Sequence, residues 1–474
     1  MPFVAGVDSS TQSTKVEIRD LDSGEIVGSG AAPHATVTPP VSEQDPASWW
    51  GAFEQAWDRA LGAIPGRPGA SSIAAISVGG QQHGMVALDG DDQPVHPAKL
   101  WNDTESAPDA GWLREQRSDQ AWVDAVGSVP LAAFTVTKLS WLHRSHPDAW
   151  QRIARVLLPH DYLTHRLTGD YTTDRGDASG TGYWSPSLGE YRWDLLQIID
   201  GDREWADVVP TVLGPLDVAG DWGSIAVAPG TGDNMAAALG LGLAPGDAVI
   251  SIGTSGTAFG VSETPTADAS GAVAGFADAT GRYLPLVCTS NAAKVLDAFR
   301  HLLGVDHAEF DRLALAADGD VPVLLPYLDG ERTPDRPDAR GVLGGIRSDV
   351  TRERLARAAV NGVACGLLDA LDALRAHAPV VGRVVLVGGG ARSTALRAVI
   401  AGLVDLPVVL SAAEQAVATG AAVQAAAIAG GTDHRAVQDR WGLRADSGAT
   451  SAVIDAVDSG DVRERYAALR DVGA

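Results

Sequence analysis

A short apolar segment, a turn crowded with small hydroxylated residues and a second strand-like segment open this chain, and the same arrangement returns near residue 248. Residues 3–7 are apolar and rich in β-formers. Residues 8–13 read Asp-Ser-Ser-Thr-Gln-Ser, and Lys15-Val16-Glu17-Ile18 alternates as a half-buried strand does. After a turn-rich link containing Pro245-Gly246, residues 248–252 predict a strand, Gly253-Thr254-Ser255-Gly256 a turn and 257–261 a return strand. The two copies share pattern and little identity, which predicts two domains, 1–244 and 245–474, each opened by the same hairpin.

Elsewhere strands and helices alternate. Strands are predicted over 73–78, ending in Gly79-Gly80, and over 155–158, 225–227, 383–387 and 406–410. Helices are predicted over 49–61, after the cap candidates Ser42 and Asp45, from about residue 393, and over the Ala-rich 416–429. The polar tail, 433–474, is predicted helical. Alternation of this kind makes an α/β protein with sheets covered by helices.

Composition narrows the functional classes. A net charge of −24 repels phosphate backbones and anionic lipid, so neither nucleic acid nor membrane is an expected partner. No apolar run reaches the roughly 18 residues of a membrane span, and residues 1–7 lack a basic leader. The two cysteines, Cys288 and Cys365, sit among small and apolar residues and read as buried free thiols. A cytoplasmic protein is expected.

Several chemistries are excluded by motif. None of the four lysines, Lys15, Lys99, Lys138 and Lys294, follows a glycine, so a Gly-Lys-Ser/Thr phosphate loop is absent. Neither Gly-x-Ser-x-Gly nor His-Glu-x-x-His occurs. What remains is three strand–turn elements rich in Gly, Ser and Thr, whose exposed N–H groups and hydroxyls suit phosphate oxygens. Two of them, 8–13 and 253–255, would grip a polyphosphate, one from each domain. The third, Gly388-Gly389-Gly390, would let a base or ribose approach the backbone; each alone also reads as an ordinary tight turn.

Asp8, at the tip of the first strand, is placed to hold Mg²⁺ through water. Lys15, across the hairpin, is placed to reach a phosphate or else is a solvated strand residue. Asp233, in Gly230-Thr231-Gly232-Asp233-Asn234, is either a simple helix N-cap or a general base for a hydroxyl. Gln81-Gln82-His83-Gly84 and Trp101-Asn102-Asp103 offer amides, imidazole, carboxylate and an indole face to a polyhydroxylated ligand. His83 alone also reads as a structural histidine.

Together these residues resemble the FGGY family of carbohydrate kinases, over nearly the whole chain, and most closely its xylulokinase branch. Asp8-Ser-Ser-Thr-Gln-Ser-Thr-Lys15 is similar to the family's first phosphate loop, and Ser42-Glu-Gln-Asp-Pro-Ala-Ser-Trp-Trp50 to the stretch before its first long helix. Leu158-Pro-His-Asp-Tyr-Leu163, the stretch from Thr173-Asp174 through Ala178-Ser-Gly-Thr181, and Leu325-Pro-Tyr-Leu-Asp-Gly-Glu-Arg-Thr-Pro334 are further family blocks. Ile252-Gly-Thr-Ser-Gly256 resembles the second phosphate loop and Leu386-Val-Gly-Gly-Gly-Ala-Arg-Ser393 the adenosine motif. Departures occur at Ser10, where the family has Gly, at Gln82, where many bacterial members have Met, and at Ala133, Ser145, Arg354 and Asn361.

The resemblance implies a two-domain, actin-like and ribonuclease-H-like fold with ATP and sugar in a central cleft. It implies ATP-dependent phosphorylation of D-xylulose, with ribulose, glycerol or a tetritol as alternative acceptors and a non-catalytic actin-like nucleotide switch as a remote one. Asp233 would be the base and Asp8 the Mg²⁺ residue. Thr11, Gln12, Ser13, Lys15, Gly253, Thr254 and Ser255 would hold phosphates, and Gly388, Gly389, Gly390 and Ala391 the adenosine. Gln82, His83, Trp101, Asp103 and Asn234 would orient the sugar. A homodimer is expected by family likeness only.

Overall fold

The structure is a computed structural model and describes residues 2–66, 69–411, 413, 415–444, 451–457 and 460–472. Two seven-stranded mixed sheets carry the chain. In the first, strand Phe3–Ser9 runs antiparallel to Ser13–Asp20 and parallel to Ile73–Gly80. In the second, Ala248–Ile252 runs antiparallel to Gly256–Gly260 and parallel to Val384–Val387. The sequence echo is thus an echo of pairing: a hairpin whose first strand has a parallel neighbour on its other edge, reached by a long crossover.

The helix Pro46–Ala63 covers one face of the first sheet. Of the two expected caps, Asp45 is used: its carboxylate accepts from the Ala47 N–H at 2.9 Å, and Pro46 sits at the first helical position, where its missing N–H costs nothing. The Ser42 N–H instead donates to Asp103 Oδ2 at 2.8 Å. Trp49, Phe53 and Trp57 are buried on this helix, each worth roughly 1.5–3 kcal/mol by area. Trp57 meets Trp222 at the sheet edge with ring centroids 5.0 Å apart. The helix Arg352–His377 plays the covering part for the second sheet, burying Ala356, Val360, Val363, Leu367, Leu371 and Leu374.

The helix Ala416–Gly430 belongs to the later half of the chain but lies on the first sheet, where Val423 and Ala426 pack with Val4 and Ala75. It crosses the helix Asp233–Gly240 closely. A Cβ at Gly420 would collide with the Ala236 carbonyl, and one at Gly6 with that of Ala418. Only hydrogen fits at these two crossings.

The tail departs from its purely helical expectation. His434–Arg440 and Val462–Val472 are helices, but Ser451–Val453 pairs antiparallel with Val408–Ser411 as the outer strand of the second sheet. An open sheet edge recruited a segment too short to announce a period of two. Both cysteines are free; Cys365 is buried as expected, whereas Cys288 is partly exposed. Among the described residues no helix is long and apolar enough to cross a membrane.

Candidate active site

Three strand ends converge on one point of the first sheet. Asp8 and Thr231 both pair with Gly79, from opposite edges of the strand Ile73–Gly80. Two residues after Thr231 the chain turns into the helix Asp233–Gly240 with Asp233 as its first residue. Asp8 is 5% exposed. Its Oδ2 lies 3.3 Å from Nζ of Lys15, its cross-strand neighbour, and its Oδ1 has no hydrogen-bond partner. Burial raises the proton affinity of Asp8 against the pull of Lys15.

Asp233 is half-buried. The helix cap position belongs to Gly232, so the carboxylate of Asp233 is not spent on capping. Its Oδ1 accepts from the Asn234 N–H at 2.8 Å and from Asn234 Nδ2 at 2.9 Å. Asn234 Nδ2 also donates to Gln82 Oε1 at 2.7 Å. Burial first, then the charges of Asp177 and Asp8, push the carboxyl of Asp233 up to about 7. A carboxylate poised near neutrality is a proton acceptor in working range.

The sugar-side cluster forms on the same rim. His83 has a left-handed backbone, φ 65°, and its ring packs on Phe134 and Phe276 with centroids 4.9 and 5.3 Å apart. Burial, then Lys138, lower its pKa to about 3, so its imidazole is neutral. The Gln82 Nε2 and His83 Nδ1 atoms have no hydrogen-bond partner. Trp101 Nε1 donates to Thr11 Oγ1 at 3.0 Å, and that hydroxyl donates to Gln81 Oε1 at 3.0 Å. The first turn and the sugar-side cluster are therefore tied through Thr11. Gln12 is exposed and Ser13 half-buried, with the Ser13 carbonyl closing the turn on the Ser10 N–H at 3.0 Å.

The second domain supplies the facing wall. Phe276 reaches His83, and the charge of Asp233 bears on the Cys288 thiol. Cys288 borders Thr289, whose Oγ1 accepts from the Gly256 N–H at 3.2 Å at the root of the second turn. Gly253 and Thr254 are exposed and Ser255 half-buried. Gly388 and Gly389 are exposed and Gly390 half-buried on the short 3₁₀ turn that begins at Gly389. Ala391 is 2% exposed and packed in the core, so only its backbone is free to meet a ligand.

Asp103 does not join this cluster. It is 1% exposed, and its Oδ2 takes the Ser42 N–H at 2.8 Å and Lys99 Nζ at 3.0 Å. Lys99 also binds Glu43 at 2.8 Å and Glu105 at 2.7 Å. The carboxylates of Glu43, Asp103 and Glu105 lie close enough together to suit a cation, and the ammonium already fills that place. Asp103, expected to orient the sugar, is held here in an ion pair, with its Oδ1 also accepting from the Glu105 N–H at 3.0 Å.

The N-terminal domain of the FGGY family of carbohydrate kinases matches residues 3–240 and its C-terminal domain matches residues 248–429. The chain belongs to that family. A xylulose kinase of Streptomyces coelicolor is 46% identical over 469 residues, covering 96% of this chain and 93% of that protein. One of Streptomyces rubiginosus is 45% identical over 452 residues, covering 93% and 91%. The crystal structure of a xylulose kinase from Bifidobacterium adolescentis superposes with a TM-score of 0.87 at 40% identity, covering 99% of both chains. As an FGGY kinase, the chain is a sugar kinase with ATP as co-substrate and a small molecule as acceptor.

Sequence reasoning missed three features of this FGGY kinase site. Phe276 lies in the other domain from His83, and no local pattern announces that contact. The Thr11–Trp101 tie joins side chains 90 residues apart. The buried group His160, Asp161, Asp174 and Asp177, behind the base, gave a signal only as family blocks.

Proposed function

We propose that this FGGY kinase transfers the γ-phosphoryl group of ATP to the terminal hydroxyl of D-xylulose, giving D-xylulose 5-phosphate and ADP. The observation that carries the mechanism is Asp233, half-buried, joined to Gln82 through Asn234 and held near neutral pKa. Asn234 occupies one oxygen of this carboxylate twice over, leaving Oδ2 to take the hydroxyl proton as the sugar oxygen attacks phosphorus. The P–O bond to the β-phosphate breaks and ADP carries the electron pair away. Such a base contributes typically 10²–10⁴-fold; the rest is positioning and charge neutralisation.

Gln82, His83, Trp101 and Asn234 orient the sugar in this reading. The unpartnered Gln82 Nε2 is the supporting observation, since buried polar atoms seek a partner; His83 turns its Nδ1 side to Gly180, which leaves Nε2 for the sugar. The neutral imidazole can donate to a hydroxyl or accept from one. Thr11, Gln12, Ser13, Gly253, Thr254 and Ser255 bind phosphate oxygens through N–H groups and hydroxyls, Lys15 adds charge, and residues 388–391 take the adenosine.

Mg²⁺ fits this chain at Asp8, whose Oδ1 is buried and unpartnered. When bound there it supplies charge neutralisation for the phosphates. Closure of the two domains, residues 1–244 and 245–474, excludes water as a competing nucleophile. Placement of Val384–Val387 in the same sheet as Ala248–Ile252, and the division of the family matches between 240 and 248, support that boundary. Free Cys288 and Cys365 support a cytoplasmic setting. The homodimer expected by family likeness is tested by light scattering.

The deciding experiment is coupled ADP release with D-xylulose, ribulose, glycerol and tetritols. D-xylulose should give the highest kcat/KM; preference for another acceptor reassigns the substrate. Asp233→Ala should abolish transfer while calorimetry still detects sugar binding. Near-normal turnover in that variant removes Asp233 from the base role.

A further inference from the structure

Behind the base lies a buried charged group, one member of which, Asp177, also raises the proton affinity of Asp233. His160, near the start of the helix Pro159–Thr168, is 0% exposed. Its Nδ1 is 2.8 Å from Asp177 Oδ2 and its Nε2 is 3.1 Å from Asp161 Oδ1. Burial works against protonation, but Asp161, Asp177 and Asp174 outweigh it and hold the imidazole charged. Interring such a group costs several kcal/mol per ion unless every partner is in place. Apolar side chains would fill the space at lower cost, so the geometry it enforces needs a reason.

His160 sits between two glycines, its backbone and Cβ against Gly80 and its ring against Gly230. A Cβ at Gly80 would come within 2.8 Å of His160 Cβ, and one at Gly230 within 2.6 Å of its Cδ2. Gly80 leads directly into Gln81-Gln82-His83, and Gly230 leads directly into Thr231-Gly232-Asp233. His160 therefore lies between the segment that ends in the sugar-side cluster, which meets its backbone and Cβ, and the segment that ends in the base, which meets its ring.

Asp177 ties that ring to both. It lies on the short helix Arg175–Ala178, whose cap Asp174 accepts from the Gly176 N–H at 2.8 Å and from Thr231 Oγ1 at 2.7 Å. Beyond the helix, Gly180 backs the imidazole of His83 so closely that a Cβ there would collide with it. The carboxylate of Asp177 also faces the backbone N–H of His83, the residue held at φ 65°.

We propose that His160 and Asp177 are positioning residues that brace the His83 turn against the Asp233 strand and so fix the acceptor hydroxyl relative to its base. Neither touches the substrate. This rests on the sugar-kinase reading of the site. Displacement of such groups by about 1 Å can cost on the order of 10²-fold in rate.

The test varies sugar and Mg·ATP separately in steady-state assays of the full chain. Asp177→Asn keeps the shape and an acceptor for His160 but removes the charge. It should lower sugar kcat/KM by about tenfold or more and leave the KM for ATP within about twofold, a split that a lowered melting temperature from the broken pair does not by itself produce. His160→Gln should act in the same direction, and the double variant should lose no more than the worse single variant, as members of one unit do. If neither charge variant yields folded protein, Gly180→Ala decides: pushing His83 from its other side should raise sugar KM alone, and an unchanged sugar KM overturns the brace.

Sugar kinetics of Asp177→Asn at wild-type values overturn it, as does a parallel loss in both substrates' KM that merely follows a fall in stability. If the unsubstituted chain shows no sugar-dependent ADP release, the kinase reading fails and the brace with it.

Discussion

Lowering the pH from 8 to 6 should slow sugar capture by this FGGY kinase about tenfold through one carboxyl group. Burial, then Asp177 and Asp8, push Asp233 up to about 7. Its ionised fraction is then roughly 0.9 at pH 8, 0.5 at pH 7 and 0.1 at pH 6. An ordinary aspartate, near 3.8, would be ionised throughout that range and give a flat profile. The assay is coupled ADP release with D-xylulose at subsaturating Mg·ATP, where kcat/KM reports the unliganded enzyme. Asp233→Asn should be roughly 10²–10⁴-fold slower and lack the acidic limb. Stability should move the other way. Because the folded-state pKa is raised, the charged carboxylate penalises folding: the penalty is absent below about 4, grows as pH rises through about 7 and is complete above. The climb from 3.8 to about 7 sets a ceiling of about 4 kcal/mol, so Asp233→Asn should melt higher than the unsubstituted chain at pH 8 and not at pH 4. A flat rate profile between pH 6 and 8, or the same limb in the variant, refutes this reasoning.

Lys99→Met should lose about 3–5 kcal/mol in urea unfolding, because Glu43, Asp103 and Glu105 are left facing one another without their ammonium. Lys15→Met should raise the KM for ATP about tenfold and leave sugar KM unchanged, because Lys15 pairs with Asp8, the residue proposed to hold Mg²⁺; a selective change in sugar KM would relocate the lysine's task. Gly420→Ala should cost about 1–3 kcal/mol by thermal melting, since the added methyl meets the Ala236 carbonyl across the helix crossing.

The fold was legible where pattern and chemistry agree over short range. The hairpins at 8–13 and 253–256, the strand at 225–227 and the helix from 416 all lie where alternation and turn residues put them. Ser451–Val453 was not legible, because a three-residue edge strand exists only through its partner Val408–Ser411. The candidate site divides the same way. Asp8, Gln82, His83, Asp233 and Asn234 announce themselves by sitting at strand ends among small residues. Asp103 sits in an equally polar motif and faces inward, because Lys99, four residues earlier, claims it. Sequence spacing gives no direction for a side chain when an ion pair outweighs the ligand it resembles a site for. Phe276 was hidden for a different reason: it meets His83 across two domains, 193 positions apart in sequence.

The helix Ala416–Gly430 has a consequence for how this polypeptide is made. It is the lid for Val4 and Ala75 on one face of the first sheet, yet it lies far beyond residue 240, where the first half ends. During synthesis the leading half emerges from the ribosome with that face wet. Its burial waits until residues 416–430 have been read, so maturation of the first half is scheduled by translation of the second.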